Sequence, residues 1–277
     1  DTIKPTMLCK DATLNLNIAG QATLTVAAIN NGSFDNCTIV SLTLSQTLFT
    51  CGNLGSNNPV KLVGTDQSGN SSFCTATVTV LDLIAPAAKC KNITANLGAA
   101  GTVGVLPSSV DNVSTDNCSF NLSLSPNTFT CANLGTNTVT LKATDGSGNT
   151  NTCTATVTVK DVTPPTALCK NLTIFLNDVG KATITPLQAD NGSTDNCSIS
   201  SRVLSRTLFD CADISTPVND FLTLTDASGN TSVCTAVITV KDNLAPTAVC
   251  QNVTVALVNG SVTVYPSVLA GTSTDNC

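Results

Sequence analysis

Residues 144–161, TDGSGNTNTCTATVTVKD, decide how the rest of the chain is read. Cys153, Ala155, Val157 and Val159 alternate with threonine, the period-two pattern of a strand with one buried face. Ser-Gly-Asn ahead of it supplies the left-handed position that a tight turn needs. The same stretch recurs at 65–82 (TDQSGNSSFCTATVTVLD) and 225–242 (TDASGNTSVCTAVITVKD). Self-similarity at a fixed period is the mark of a repeat architecture.

The cysteines fix that period. Cys9, Cys90, Cys169 and Cys250 are 81, 79 and 81 residues apart, and Cys37, Cys118, Cys197 and Cys277 follow with 81, 79 and 80. The sequence therefore divides into repeats at 1–82, 83–161 and 162–242, with 243–277 as the first part of a fourth. Asp1 to Cys9 matches the linkers that begin at Asp82, Asp161 and Asp242, so the chain opens at a repeat boundary and stops inside a repeat. A window from a longer polypeptide is the expectation.

All 18 acidic residues are aspartate, and the chain lacks glutamate, histidine and tryptophan. Aspartate favours turns, while threonine and valine fill the periodic segments, so helix is disfavoured throughout. Within residues 83–161, six or seven short strands are separated by turn signals every 8 to 12 residues. The fold class expected is all-β, a tandem array of immunoglobulin-like sandwiches. A core of about 80 residues with few aromatics is small, and four cysteines at matching positions per repeat read as a compensating disulfide framework in an oxidising, extracellular setting.

In such a sandwich the first and last strands lie side by side and parallel, which places the cysteines near their starts at one end. Long links are expected for Cys9–Cys74, Cys90–Cys153 and Cys169–Cys234. Short links are expected across a hairpin, for Cys37–Cys51, Cys118–Cys131 and Cys197–Cys211. Loop closure assigns roughly 4 kcal/mol to each long link and about 3 kcal/mol to each short one as upper values. Cys250 and Cys277 are left without partners in this scheme.

Pro-x-Ala-x-Cys (86–90), Thr-Asp-Asn-Cys (115–118) and Thr-Asp-x-Ser-Gly-Asn followed by Cys and a Thr/Val strand together resemble the hyalin repeat. The resemblance covers the three full repeats and the start of the fourth. It implies an immunoglobulin-like extracellular module, and the four-cysteine, Asn/Thr-rich form is similar to repeat arrays in secreted surface adhesins of gliding Bacteroidetes.

Catalysis has little to build on, because no Ser-His-Asp or Cys-His arrangement exists without histidine. The net charge of −6 and only two arginines speak against nucleic acid or an anionic membrane as partner. No 18-residue apolar run marks a membrane span. The recurring aspartates are the candidate site. Asp82/Asp116/Asp145, Asp161/Asp195/Asp226 and Asp1/Asp35/Asp66 each combine a linker, a loop and a turn position at the pole where the chain enters, and Asp242/Asp275 repeat two of the three. Converging carboxylates suit Ca²⁺, which takes six to eight oxygen ligands. The alternative is that each aspartate only bonds its own backbone in an Asx turn.

The threonine face of Thr75, Thr77 and Thr79 reads as a solvated strand surface. The sequons at Asn92, Asn171, Asn230 and Asn252 offer glycan acceptors only in a eukaryotic secreted protein. The function expected is the stalk of an extracellular adhesin or cell-surface filament, whose partners are neighbouring repeats and an unknown surface, glycan or protein ligand at the tip. The competing expectations are a glycan-binding accessory module, which the single Tyr265 disfavours, and a filament subunit joined by strand donation.

Overall fold

A computed structural model describes residues 1–277. The first repeat contains β1 (Ala12–Asn15), β2 (Gln21–Thr23), β3 (Ile39–Leu44), β4 (Leu48–Thr50), β5 (Gly55–Asp66) and β6 (Ser71–Leu81). The second continues with β7 (Ile93–Asn96), β8 (Thr102–Gly104), β9 (Phe120–Ser125), β10 (Thr128–Thr130), β11 (Gly135–Asp145) and β12 (Thr150–Lys160). The third has β13 (Leu172–Phe175), β14 (Lys181–Thr183), β15 (Ile199–Leu204), β16 (Leu208–Asp210), β17 (Val218–Asp226) and β18 (Thr231–Lys241). Each repeat has a four-stranded sheet, in the orders β1-β6-β5-β3, β7-β12-β11-β9 and β13-β18-β17-β15. A two-stranded sheet faces it in each case, from β2-β4, β8-β10 and β14-β16. The architecture is all-β and immunoglobulin-like.

The edge strand runs parallel to the last strand, with Ala12 opposite Val78 and Leu172 opposite Ile238. The long last strand buries one face, Ala76, Val78 and Val80 in the first repeat, while Thr75 and Thr77 on the other face stay exposed. Against this face the small sheet inserts one aromatic per repeat. Phe49, Phe129 and Phe209 are the largest fully buried side chains. The turn before the last strand places Gly69, Gly148 and Gly229 at φ of 87°, 91° and 91°, the left-handed region open to glycine.

Helix is not wholly absent. Single turns occupy Val26–Ile29, Pro107–Val110, Pro186–Ala189 and Pro266–Leu269. Three of them begin with proline, whose fixed φ and missing N–H suit a first helical position.

The chain separates into two compact units, residues 1–95 with 103–159, and residues 96–102 with 160–277. In the first, Cys9 is bonded to Cys74 and Cys90 to Cys153, and in the second Cys169 to Cys234. The expected short links are corrected by the structure. Cys51 is joined not to Cys37 but to Cys118 of the following repeat, Cα to Cα 5.7 Å. Cys211 is joined not to Cys197 but to Cys277, at 5.6 Å. Cys37 and Cys250 are free and exposed. Cys131 and Cys197 are also disulfide-bonded and hold the corresponding positions in the sequence period.

The reason lies in where the strands go. The chain leaving β3 does not fold back on it as a hairpin. It crosses to the other sheet, where β4 pairs with β2, Gln21 opposite Thr50. Cys37, ahead of β3, and Cys51, after β4, are therefore not the two ends of one ladder. Likewise Cys277, expected to lack a partner, closes on Cys211.

Candidate functional site: an aspartate cluster beside a covalent joint

Asp82 follows β6 at the start of a linker, and its backbone and side chain are both held. Its Oδ1 accepts the Ile84 N–H at 3.1 Å and the Asn117 amide Nδ2 at 3.0 Å. Its carbonyl accepts Asn149 Nδ2 at 3.0 Å. Asn149 also donates to Asp145 Oδ2 at 2.8 Å, and Asp145 Oδ1 accepts the N–H groups of Ser147 and Asn149 at 2.9 and 2.8 Å. Asp116 Oδ2 accepts the Cys118 N–H at 3.2 Å. The Asx-turn role is thus real for these residues, and the turns deliver the carboxylates to one place. Asp82, Asp116 and Asp145 each offer an oxygen within 4.8 Å of the others. Asp82 is 3% exposed and Asp145 5%.

Asp161, Asp195 and Asp226 reproduce the arrangement in the second unit, again within 4.8 Å. Asp161 Oδ1 accepts from Thr163 N at 3.1 Å and Asn196 Nδ2 at 3.1 Å, and its carbonyl accepts Asn230 Nδ2 at 3.2 Å. The third expected set is different. Asp1 and Asp35 gather with Cys37 rather than with Asp66. Asp66 is buried with both oxygens on Asn70, from its N–H and its side-chain amide, each at 2.8 Å. Asp242 Oδ1 accepts Asn276 Nδ2 at 3.2 Å, which repeats the linker contact, while Asp275 bonds its neighbour's N–H.

Inside the two buried clusters several oxygens have no donor. Asp82 Oδ2, Asp116 Oδ1 and Asn117 Oδ1 are buried and unbonded, as are Asp161 Oδ2 and Asp195 Oδ1. The ion pairs of the protein lie elsewhere, Lys181–Asp210, Arg202–Asp190 and Arg206–Asp213. Two like charges no more than about 5 Å apart repel by at least roughly 3 kcal/mol at an effective dielectric of 20. A group of three carboxylates with no arginine or lysine beside it holds a strong local field for a cation.

The Cys51–Cys118 bridge sits next to the first cluster, because Cys118 directly follows Asp116 and Asn117. Asn117 Nδ2 reaches back to the Asn17 carbonyl of the preceding repeat at 3.3 Å. At this joint Gly20 has φ +69°, and a Cβ there would lie 2.5 Å from the Asn117 carbonyl oxygen and 2.9 Å from Cys51 Sγ. Gly180 meets Asn276 O at 2.5 Å and Cys211 Sγ at 2.8 Å in the same way. The sequence signal was present, a glycine at one phase of the repeat, but its meaning depends on the bridge. Of the sequon asparagines, Asn230 has its amide nitrogen committed to Asp161 O and Asp226 Oδ2, and Asn92 and Asn171 accept the N–H groups of Thr156 and Val237.

No protein-family model and no curated protein matches the chain. Solved structures similar to it include the protocadherin gammaB4 extracellular domain, with 15% identity over 87% of this chain and 51% of that one, TM-score 0.32. A mouse cadherin-23 fragment has 13% identity over 87% of this chain and all of its own, TM-score 0.33. An I-band fragment of titin has 14% identity over 86% and 98%, TM-score 0.33. The chain spans about half the length of the protocadherin domain it matches.

Proposed function

We propose that this chain is a mechanical element, a stalk segment of an extracellular adhesin or cell-surface filament built from hyalin-type repeats. The observation that carries the reading is the bridge between successive repeats, Cys51–Cys118 in the first unit and Cys211–Cys277 in the second. A ligand-binding module gains nothing from tying its neighbour to it covalently, whereas a tether does. Disulfides persist in oxidising compartments, which places this chain outside the cytosol in the proposal. Neighbouring repeats are its immediate partners, and ligand recognition belongs to other parts of the assembly.

Single-molecule pulling on the oxidised chain tests the proposal. A repeat of about 80 residues with no bridge would release roughly 200 Å or more on unfolding, at about 3.5 Å per residue. The bridged chain is expected to show no step of that size until reductant is added. Steps of full length without reductant would overturn it.

A further inference from the structure

We propose that Asp82, Asp116 and Asp145 bind one Ca²⁺ ion and that Asp161, Asp195 and Asp226 bind a second. The clusters alone would not carry this. The decisive feature is the pair of linker carboxylates, Asp82 at 3% and Asp161 at 6% exposure. Each leaves one oxygen, Oδ2, buried with no donor to meet it. Asp116 Oδ1 and Asp195 Oδ1 are buried without a donor as well. Burying an unpaired carboxylate oxygen costs stability unless something compensates it. Water would supply a hydrogen bond but would leave three negative charges together, whereas a cation answers both.

The donor set selects the ion. It is all oxygen: the chain has no histidine, and Cys118, the nearest sulfur in sequence to Asp116, is oxidised. Soft and borderline metals that prefer thiolate or imidazole are disfavoured. Ca²⁺ accepts six to eight oxygens in a flexible shell, whereas Mg²⁺ demands a near-ideal octahedron and gives up its water reluctantly, so carboxylates carried on a linker, a loop and a turn suit Ca²⁺ better. Open clefts reach the first cluster from two sides, one lined by Asp82, Ser147 and Asn149 and the other by Asp116 and Asn117, so an ion has a route in and water can complete its shell. The Asp1/Asp35/Cys37 group is left out, because Asp1 is exposed and Asp35 Oδ1 is its one unbonded buried oxygen.

Calorimetric titration of the oxidised, chelator-stripped full chain with CaCl₂, with MgCl₂ as the comparison, tests this. The wild type is expected to take up two more equivalents than an Asp82→Asn/Asp161→Asn double variant, and Mg²⁺ to bind at least tenfold more weakly. Asparagine keeps the Oδ1 acceptor used by Ile84 and Thr163, so the turn survives while the charge goes. Amide spectra of the wild type during the same titration guard against a variant that fails to fold. Shifts confined to the loops around residues 82, 116, 145, 161, 195 and 226 support the assignment. Absence of uptake, equal uptake by variant and wild type, or shifts centred elsewhere would each overturn it. The result is independent of the stalk reading, since a stalk without Ca²⁺ still resists pulling through its disulfides.

Discussion

Replacing Cys51 and Cys118 together by alanine removes the bridge between the first two repeats and nothing else covalent. The bridged cysteines are 67 residues apart. In the chain-entropy treatment, opening a loop of that size returns about 4 kcal/mol of freedom to the unfolded chain, an upper value because residual structure and native strain reduce it. Small domains have a total stability of about 5–15 kcal/mol, so the loss is large. The contrast with Cys37 makes the experiment sharp. A Cys37–Cys51 link would span 14 residues, with about 3 kcal/mol at stake, and Cys37→Ala would then be as damaging as Cys51→Ala. In the structure Cys37 is free and exposed, so Cys37→Ala is expected to change stability by less than about 0.5 kcal/mol. Urea unfolding of the three proteins under oxidising conditions measures the difference, and peptide mapping of unreduced protein identifies the bond. Equal destabilisation by Cys37→Ala and Cys51→Ala, or a recovered Cys37–Cys51 peptide, would refute the pairing and the account of sheet crossing behind it.

Gly20→Ala is expected to cost more than about 1 kcal/mol, because a left-handed backbone is unfavourable for alanine and the new Cβ would meet Asn117 O and Cys51 Sγ; a urea midpoint equal to the wild type's would contradict the close approach. Phe209→Ala should lose about 3–5 kcal/mol from the third repeat, the usual range for a fully buried aromatic, and a loss below 1 kcal/mol in the same assay would mean the small sheet is not packed as described. Burial pushes the Asp190 carboxyl up, but the Ser193 hydroxyl and N–H and the Arg202 guanidinium outweigh it and hold it below its ordinary value of 3.8. Its folded pKa is depressed, so its stabilisation is complete above the unfolded value and fades as pH falls through the folded one. Asp190→Asn should therefore flatten the loss of stability below about pH 4, and an unchanged slope between pH 5 and 2.5 would count against that network.

The part of the fold that rests on local periodicity could be read from the chain. Residues 71–81 alternate as a half-buried strand must, and Cys9–Cys74 follows once the first and last strands are parallel neighbours. Cys51–Cys118 could not be read in the same way. It depends on the crossing between Leu44 and Leu48, where a hairpin and a sheet change look alike in sequence. The aspartates divide similarly. Linker, loop and turn positions converge at Asp82/Asp116/Asp145, where Cys118 is tied down beside Asp116. At Asp1/Asp35, where Cys37 is untied, the convergence with Asp66 is missing. Which oxygens lack donors is set by where Asn117 and Asn149 spend their amide hydrogens, a property of the folded joint.

The closed loops of the disulfides overlap. Cys9–Cys74 is still open to its partner's side when Cys51–Cys118 begins, and that loop in turn encloses the start of Cys90–Cys153. Every peptide bond from Cys9 to Cys153 thus lies inside at least one ring, and every bond from Cys169 to Cys277 does so through Cys169–Cys234 and Cys211–Cys277. A protease that cuts once anywhere in those spans leaves both ends attached. Exposed loops can be nicked without parting the thread, and only a reductant, or two cuts that fall between the same pair of neighbouring bridged cysteines, sets a piece free.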